Sequence, residues 1–185
     1  MKAAHIVSDE AVARVLIDPM RRAILSFLRE KPMTQSQLAD KLGLSDASLN
    51  YHMKILMKVG LVKIARREVE EHGIMQKFFA PAAYTFVYDL DALPKDVSRY
   101  FYPLSLERAR TAIALMGKKE GVTVHDSKSI NEFAASLSRI LVMVARQYAK
   151  KEVLYDNETV AYEIYSKAIS MWLSHNAKAP TAKAR

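Results

Sequence analysis

Apolar positions recur at helical spacing along most of this chain, with one change to a strand-like pattern near residue 61. Between Ser45 and Gly60, Leu49, Met53 and Leu56 define a single apolar face and predict a helix over 45–59. Ser45 can cap its start, and Gly60 suits the left-handed conformation that ends a helix. Upstream, Ala11 to Ile17 predicts a short helix capped by Ser8 or Asp9. Asp18-Pro19 reads as a cap followed by proline at the first helical position. The second helix, Met20 to about Arg29, turns Ile24, Leu25, Phe27 and Leu28 to a core and ends at Lys31-Pro32. Thr34 to Gln37 has the form of a capping box, opening a short helix with Leu38, Ala39 and Leu42 that Gly43 closes.

After Gly60 the period shortens. Leu61 to Val69 and Ile74 to Ala80 predict two strands around the polar turn Glu70-Glu71-His72-Gly73, and Tyr84 to Tyr88 reads as a further extended segment. Leu93-Pro94 marks an expected boundary. Beyond it lie helices over Lys95 to Lys118, interrupted at Pro103, over Ser127 to about Lys150, and over Asn157 to Ser174. The expected class is mainly α with a small β-hairpin wing. Residues 1–92 would be a winged helix-turn-helix domain, 93–175 a helical dimerisation region and 176–185 a disordered basic tail.

The helix over 45–59 turns Ala47, Ser48, Tyr51, Lys54 and Lys58 away from its apolar face. Short polar side chains at one end and cations at the other suit a helix set into the DNA major groove. Thr34 to Ala80, through TQSQLADKLGLSDASLNYHMKILMKVGLV and on to QKFFA, resembles the DNA-binding core of the arsenic-repressor (ArsR-type) winged-helix transcription regulators. That resemblance implies operator binding, with the wing over 61–80 beside the groove. Expected DNA contacts are Thr34, Gln35, Ser45, Ala47, Ser48, Asn50, Tyr51, His52, Lys54, Lys58, Arg66, Arg67 and Lys77. For His52, a structural hydrogen bond at the helix–wing junction is the competing reading. Metal-sensing members carry cysteines in the helix matching Thr34 to Leu42, and this chain has none. Glu68, Glu70 and Glu71 would repel phosphate at the wing tip.

Composition narrows the classes further. Half of the 185 residues are apolar, enough for a real core. The absence of cysteine removes disulfides, thiolate metal sites and thiol nucleophiles. The five histidines, 5, 52, 72, 125 and 175, lack ligand spacing. No GxSxG elbow or glycine-rich phosphate loop occurs, so neither catalysis nor a cofactor is expected. No signal peptide or membrane span is legible, which leads to the expectation of a cytoplasmic protein.

Net charge is +8. It is spread over both halves, with 13 basic and 11 acidic residues in 1–92 against 15 and 9 in 93–185. Lys54, Lys58, Lys63, Arg66 and Arg67, however, fall in a stretch without an acid. Double-stranded DNA is the expected partner. A second copy of the chain is expected too, held by Phe133, Leu137, Ile140, Leu141, Val144, Ile164, Met171 and Trp172, since three isolated helices cannot bury so much apolar surface among themselves. A chain ended after Leu93 would then remain a folded monomer. Met143, Met171 and Trp172 could instead line a ligand pocket, though residues at such spacing are more often core, and no particular effector is indicated. Two alternatives stand beside a sequence-specific regulator: a winged helix used for protein contact, and a largely sequence-neutral DNA-coating protein.

Overall fold

The computed structural model describes residues 1–69, 73–120 and 127–176, with side chains described over 1–69, 73–114 and 128–174. The expectations for Glu70, Glu71 and His72 at the wing tip, for His125 and for the tail beyond residue 176 lie outside the described residues.

Strand β1 (Lys2–Val7) is followed by helices α1 (Glu10–Ile17), α2 (Pro19–Glu30), α3 (Gln35–Leu42) and α4 (Asp46–Lys58). Each helix starts where a side chain answers the unpaired N–H groups of its first turn. Asp9 accepts from the Val12 amide, and Asp18 accepts from the amides of Met20 and Arg21 with Pro19 behind it. Thr34 and Gln37 cap each other reciprocally, and Ser45 accepts from the Ser48 amide. Gly43 (φ +63°) and Gly60 (φ +74°) adopt the left-handed region just after α3 and α4, where a side chain would strain the backbone.

Strands β2 (Val62–Val69) and β3 (Met75–Pro81) form an antiparallel hairpin, the wing. Its base is tied to the α2–α3 connection by paired backbone hydrogen bonds between Met33 and Phe79, of 2.8 and 3.2 Å. One core unites Leu16, Ile24, Leu28, Leu38, Leu49, Met53, Leu56 and Phe79, all of them buried. This is a winged helix-turn-helix followed by a helical region.

The extended segment expected near Tyr84 is β4 (Ala83–Tyr88), but its partner is not the wing. It pairs in parallel with β1, a strand the sequence did not disclose, in a register running from Lys2 against Ala83 to Val7 against Tyr88. On its other edge β1 meets the segment after α7: the Ala3 amide donates to the Lys151 carbonyl and the Val153 amide to the Met1 carbonyl. The small sheet divides two cores. Val7 and Tyr88 join the winged-helix core, whereas Ala3, Ala4, Tyr84 and Val87 join a second core. At the C-terminal ends of both strands neighbours face opposite ways, so Ile6 and Val87 turn to the second core while Val7 and Tyr88 turn to the first.

The second core is completed by α6 (Tyr102–Glu120), α7 (Ser127–Tyr148) and α8 (Glu158–Asn176), with α7 packed against both other helices and the sheet. A short α5 (Lys95–Ser98) precedes them. The interruption expected at Pro103 falls instead at residues 99–101. Pro103 lies in the first turn of α6, where a missing N–H costs nothing. At the expected boundary, Leu93, Val97 and Phe101 pack into the winged-helix core, and Phe101 stacks on Tyr88 with ring centroids 3.9 Å apart.

The eight side chains expected at a dimer interface are placed differently by the fold. Phe133, Leu137, Leu141, Val144 and Ile164 are buried inside the single chain, while Ile140, Met171 and Trp172 are half-buried. Trp172 stands edge-on to Phe133 at 4.3 Å. The apolar surplus inferred from three helices is taken up by the β1–β4 sheet. β1, which carries no helical or alternating signal, builds that sheet with β4.

Candidate nucleic-acid interface

Helix α4 is held from beneath by Leu49, Met53 and Leu56, which are fully buried. That anchoring fixes the opposite face. Ala47, Tyr51, Lys54 and Lys58 are exposed, Tyr51 to 60%, and Ser48 and Asn50 are half-buried beside them. Ser45 is exposed, but its hydroxyl is occupied as the helix cap, 3.3 Å from the Ser48 amide. Asp46, in the first turn, complements the positive end of the helix.

Two expected contacts turn inward. Thr34 is 8% exposed and spends its hydroxyl on the Gln37 amide at 3.2 Å. Gln35, the first residue of α3, is half-buried next to it. His52 is half-buried against the start of α2, not at the helix–wing junction. Its Nδ1 lies 3.7 Å from an Asp18 carboxylate oxygen, and Tyr51 stands edge-on to its ring.

On the wing, the three expected cations differ. Arg66 donates from Nε to Glu68 at 2.5 Å and lies 4.1 Å from the centroid of the Phe78 ring, so its charge is partly answered. Arg67 and Lys77 are exposed and, among the described residues, take part in no ion pair. They are Cα partners in the hairpin ladder. Lys54, Lys58 and Lys63 are likewise exposed, with no carboxylate beside them among the described residues. The structure thus brings two cations of α4 and three of the wing to the surface of one winged helix. The pairing of Arg67 with Lys77 was not legible in the sequence, because a bulge between Ile64 and Arg66 sets it.

Among the described residues, no group of three or more potential ligands could hold a metal ion. No helix among them is long and apolar enough to cross a membrane.

Residues 16–65 match the family model described as "Helix-turn-helix domain". Among solved structures, the chain is similar to "Structure of Lactococcus lactis ZitR, C30AH42A mutant in apo form", with 18% identity, 67% of this chain and 83% of that chain covered, and a TM-score of 0.32. No curated protein matches. Residues 16–65 are a helix-turn-helix domain, and the β2–β3 hairpin makes it a winged one.

Proposed function

We propose that this chain is a sequence-specific DNA-binding transcription regulator of the ArsR type without thiolate metal sensing, acting as a homodimer. The observation that carries the reading is a set of exposed cations that form no ion pair among the described residues, Lys54 and Lys58 on α4 and Lys63, Arg67 and Lys77 on the wing, beside a helix face of short polar residues. In this reading α4 enters the major groove. Ala47, Ser48, Asn50 and Tyr51 reach base edges, and the cations hold phosphates on either side. Thr34 and His52 contribute by fixing α3 and α4, and Gln35 sits at the edge of the contact.

The dimer follows from readout. One winged helix reads a short half-site, too little to select a promoter among roughly 10⁶ competing sites, and a two-fold pair doubles it. Ile140, Met171 and Trp172, which keep some accessible surface, are the part of the expected interface available to a second copy. Selection of bound fragments from genomic DNA, together with light scattering of the full chain, tests both claims. A shared inverted repeat and a dimeric mass support them. Fragments without a common sequence would favour sequence-neutral coating.

A second reading rests on a specific observation. Met57 on α4 and Val69, Ile74 and Met75 on the wing are exposed apolar side chains. Exposed apolar surface of this kind suits a winged helix that docks on a protein. Full-length protein that retains no duplex DNA even at low salt would favour it.

A further inference from the structure

A groove of about 200 Å³ opens between α2, β4 and α6. Leu16, Leu25, Phe86 and Tyr88 give it apolar lining, and Arg22, Arg29 and Arg108 add three guanidinium groups, with no acidic residue among the described residues that line it. Arg22 and Arg29 are seven residues apart with Leu25 between them, so all three share one face of α2. The charge of Arg108 comes from the other wall, on α6.

Each guanidinium is positioned without being neutralised. Arg22 donates from Nη1 to the carbonyls of Leu16 and Ile17, at 2.8 and 2.7 Å. Arg29 donates to the Ser26 hydroxyl at 3.0 Å and lies over the Tyr84 ring. Arg108 lies 5.0 Å from the centroid of the Tyr165 ring. Among the described residues none of the three forms an ion pair, a condition shared with Arg67 and Arg99, whereas Arg14, Arg21, Arg66, Arg110, Arg139 and Arg146 all do. Burial pushes the Tyr88 phenol above its ordinary value, and the charges of Arg22 and Arg108 both act on it in the opposite sense, so they converge there. A larger cleft of about 410 Å³, between the β4–α5 link and α7, differs in carrying Asp89 and Asp91 beside its Lys95, Arg99 and Arg139. Its Arg139 is answered by Asp91 at 2.7 Å.

Like charges gathered over a low-dielectric floor raise the local potential for an anion. The apolar floor gains nothing from an inorganic ion but stabilises a hydrocarbon body. Guanidinium groups match a carboxylate with paired hydrogen bonds. We propose that this groove binds a small monocarboxylate with an aromatic or aliphatic body, the carboxylate held by Arg108 together with an arginine of α2 and the body laid on Leu25 and Phe86. Because α2 belongs to the winged-helix core and α6 to the second core, such a ligand ties the two together. An effect of this ligand on DNA binding rests on the function proposed above.

The test titrates the full-length chain, without DNA, with benzoate, hexanoate, benzamide and inorganic phosphate, read by calorimetry. Saturable binding of benzoate or hexanoate is expected, with benzamide and phosphate at least about tenfold weaker, since hydrogen bonds to charged groups are worth that much. Arg108→Gln should weaken carboxylate binding by about tenfold or more, and Arg108→Lys by less. Ser26→Phe, which fills the groove from an exposed helix position, should abolish binding if thermal unfolding shows the variant folded. The site is overturned if neither carboxylate saturates, if benzamide binds as well as benzoate, or if Arg108→Gln and Arg29→Gln both leave affinity unchanged. Gel shifts with and without the carboxylate are read separately. Carboxylate binding with unaltered DNA affinity overturns the coupling alone. Carboxylate binding by a chain that holds no DNA overturns the proposed function and leaves the site standing.

Discussion

Arg67 and Lys77 oppose each other across the wing as direct Cα partners, two cations where an antiparallel ladder gains from opposite charge. Like charges directly opposite destabilise a hairpin, by an amount comparable to the roughly 0.2–1 kcal/mol that favourable pairs contribute. The bulge between Ile64 and Arg66 creates this arrangement. It also breaks the two-residue alternation, so that Arg67 and Lys77 share the wing face that carries Ile64 and Phe79 into the core. An anion on that face removes the repulsion. Lys77→Ala should therefore leave stability unchanged or slightly raised, while weakening DNA binding and lowering its salt slope by about one. Thermal unfolding and a salt titration read the two effects. Unchanged DNA affinity would remove the wing from the interface.

Within α4 the division of roles gives a second prediction. Asn50→Ala should cost about 1–3 kcal/mol on a selected site and little on random duplex, because only base-edge contacts discriminate. Lys58→Ala should weaken both alike. Asn pairs best with adenine and Ala47 can pack on a thymine methyl, so the half-site should lean toward A·T. Identical behaviour of the two variants on both DNAs would contradict this assignment.

Asp18 joins three elements. One of its carboxylate oxygens caps α2 at 2.8 Å from the Met20 amide, and the other lies 3.6 Å from Arg21 Nε and 3.7 Å from His52 Nδ1. Among the described residues both nitrogen atoms are buried without a hydrogen-bond partner, and the Asp18 carboxylate is the acceptor that stands nearest to answer the Arg21 charge. Asp18→Ala should destabilise the fold by about 1–2 kcal/mol, and Asp18→Asn, which keeps a capping oxygen, by less. Urea unfolding of the two variants gives the comparison, and equal losses would show that capping is not what Asp18 supplies.

His5 makes the β1–β4 sheet sensitive to acid. Burial, with a smaller contribution from Lys2, lowers its pKa from the ordinary 6.5, and its ring lies against Phe86. A lowered folded value means that the unfolded chain binds the proton more readily. Stability from this residue is therefore complete above 6.5, falls as pH drops through 6.5 toward the folded value, and is lost below it. His5→Gln should flatten that part of the profile of urea midpoints between roughly pH 8 and pH 5. A slope identical to that of the parent chain would assign the acid sensitivity to other groups.

Ending the chain after Leu93 should not leave the folded monomer that the pattern alone suggested. Such a chain loses Val97 and Phe101 from the winged-helix core and exposes the sheet face that α7 covers. Aggregation is expected in light scattering. A soluble, cooperatively unfolding 1–93 fragment would show that the winged helix stands without that cover.

Helix ends and helix faces depend on neighbours within one or two turns and are legible along the chain. Asp18-Pro19, the Thr34–Gln37 box, Ser45 and Gly60 place helix ends because capping is settled by residues at most a few positions apart. The exposed and buried faces of α4 follow from the same short-range period. Tertiary structure decided what depends on partners distant in the chain. β1 exists as a strand because β4, some 80 residues later, supplies its hydrogen bonds, and Lys2 to Val7 carries no periodic signal of its own. That one strand changes the meaning of Phe133, Leu137, Leu141, Val144 and Ile164 from interface to core. The convergence of Arg22, Arg29 and Arg108 follows from how α2 meets α6 across β4. Only packing sets that meeting, since side-chain charge carries no information about which distant helix it will face.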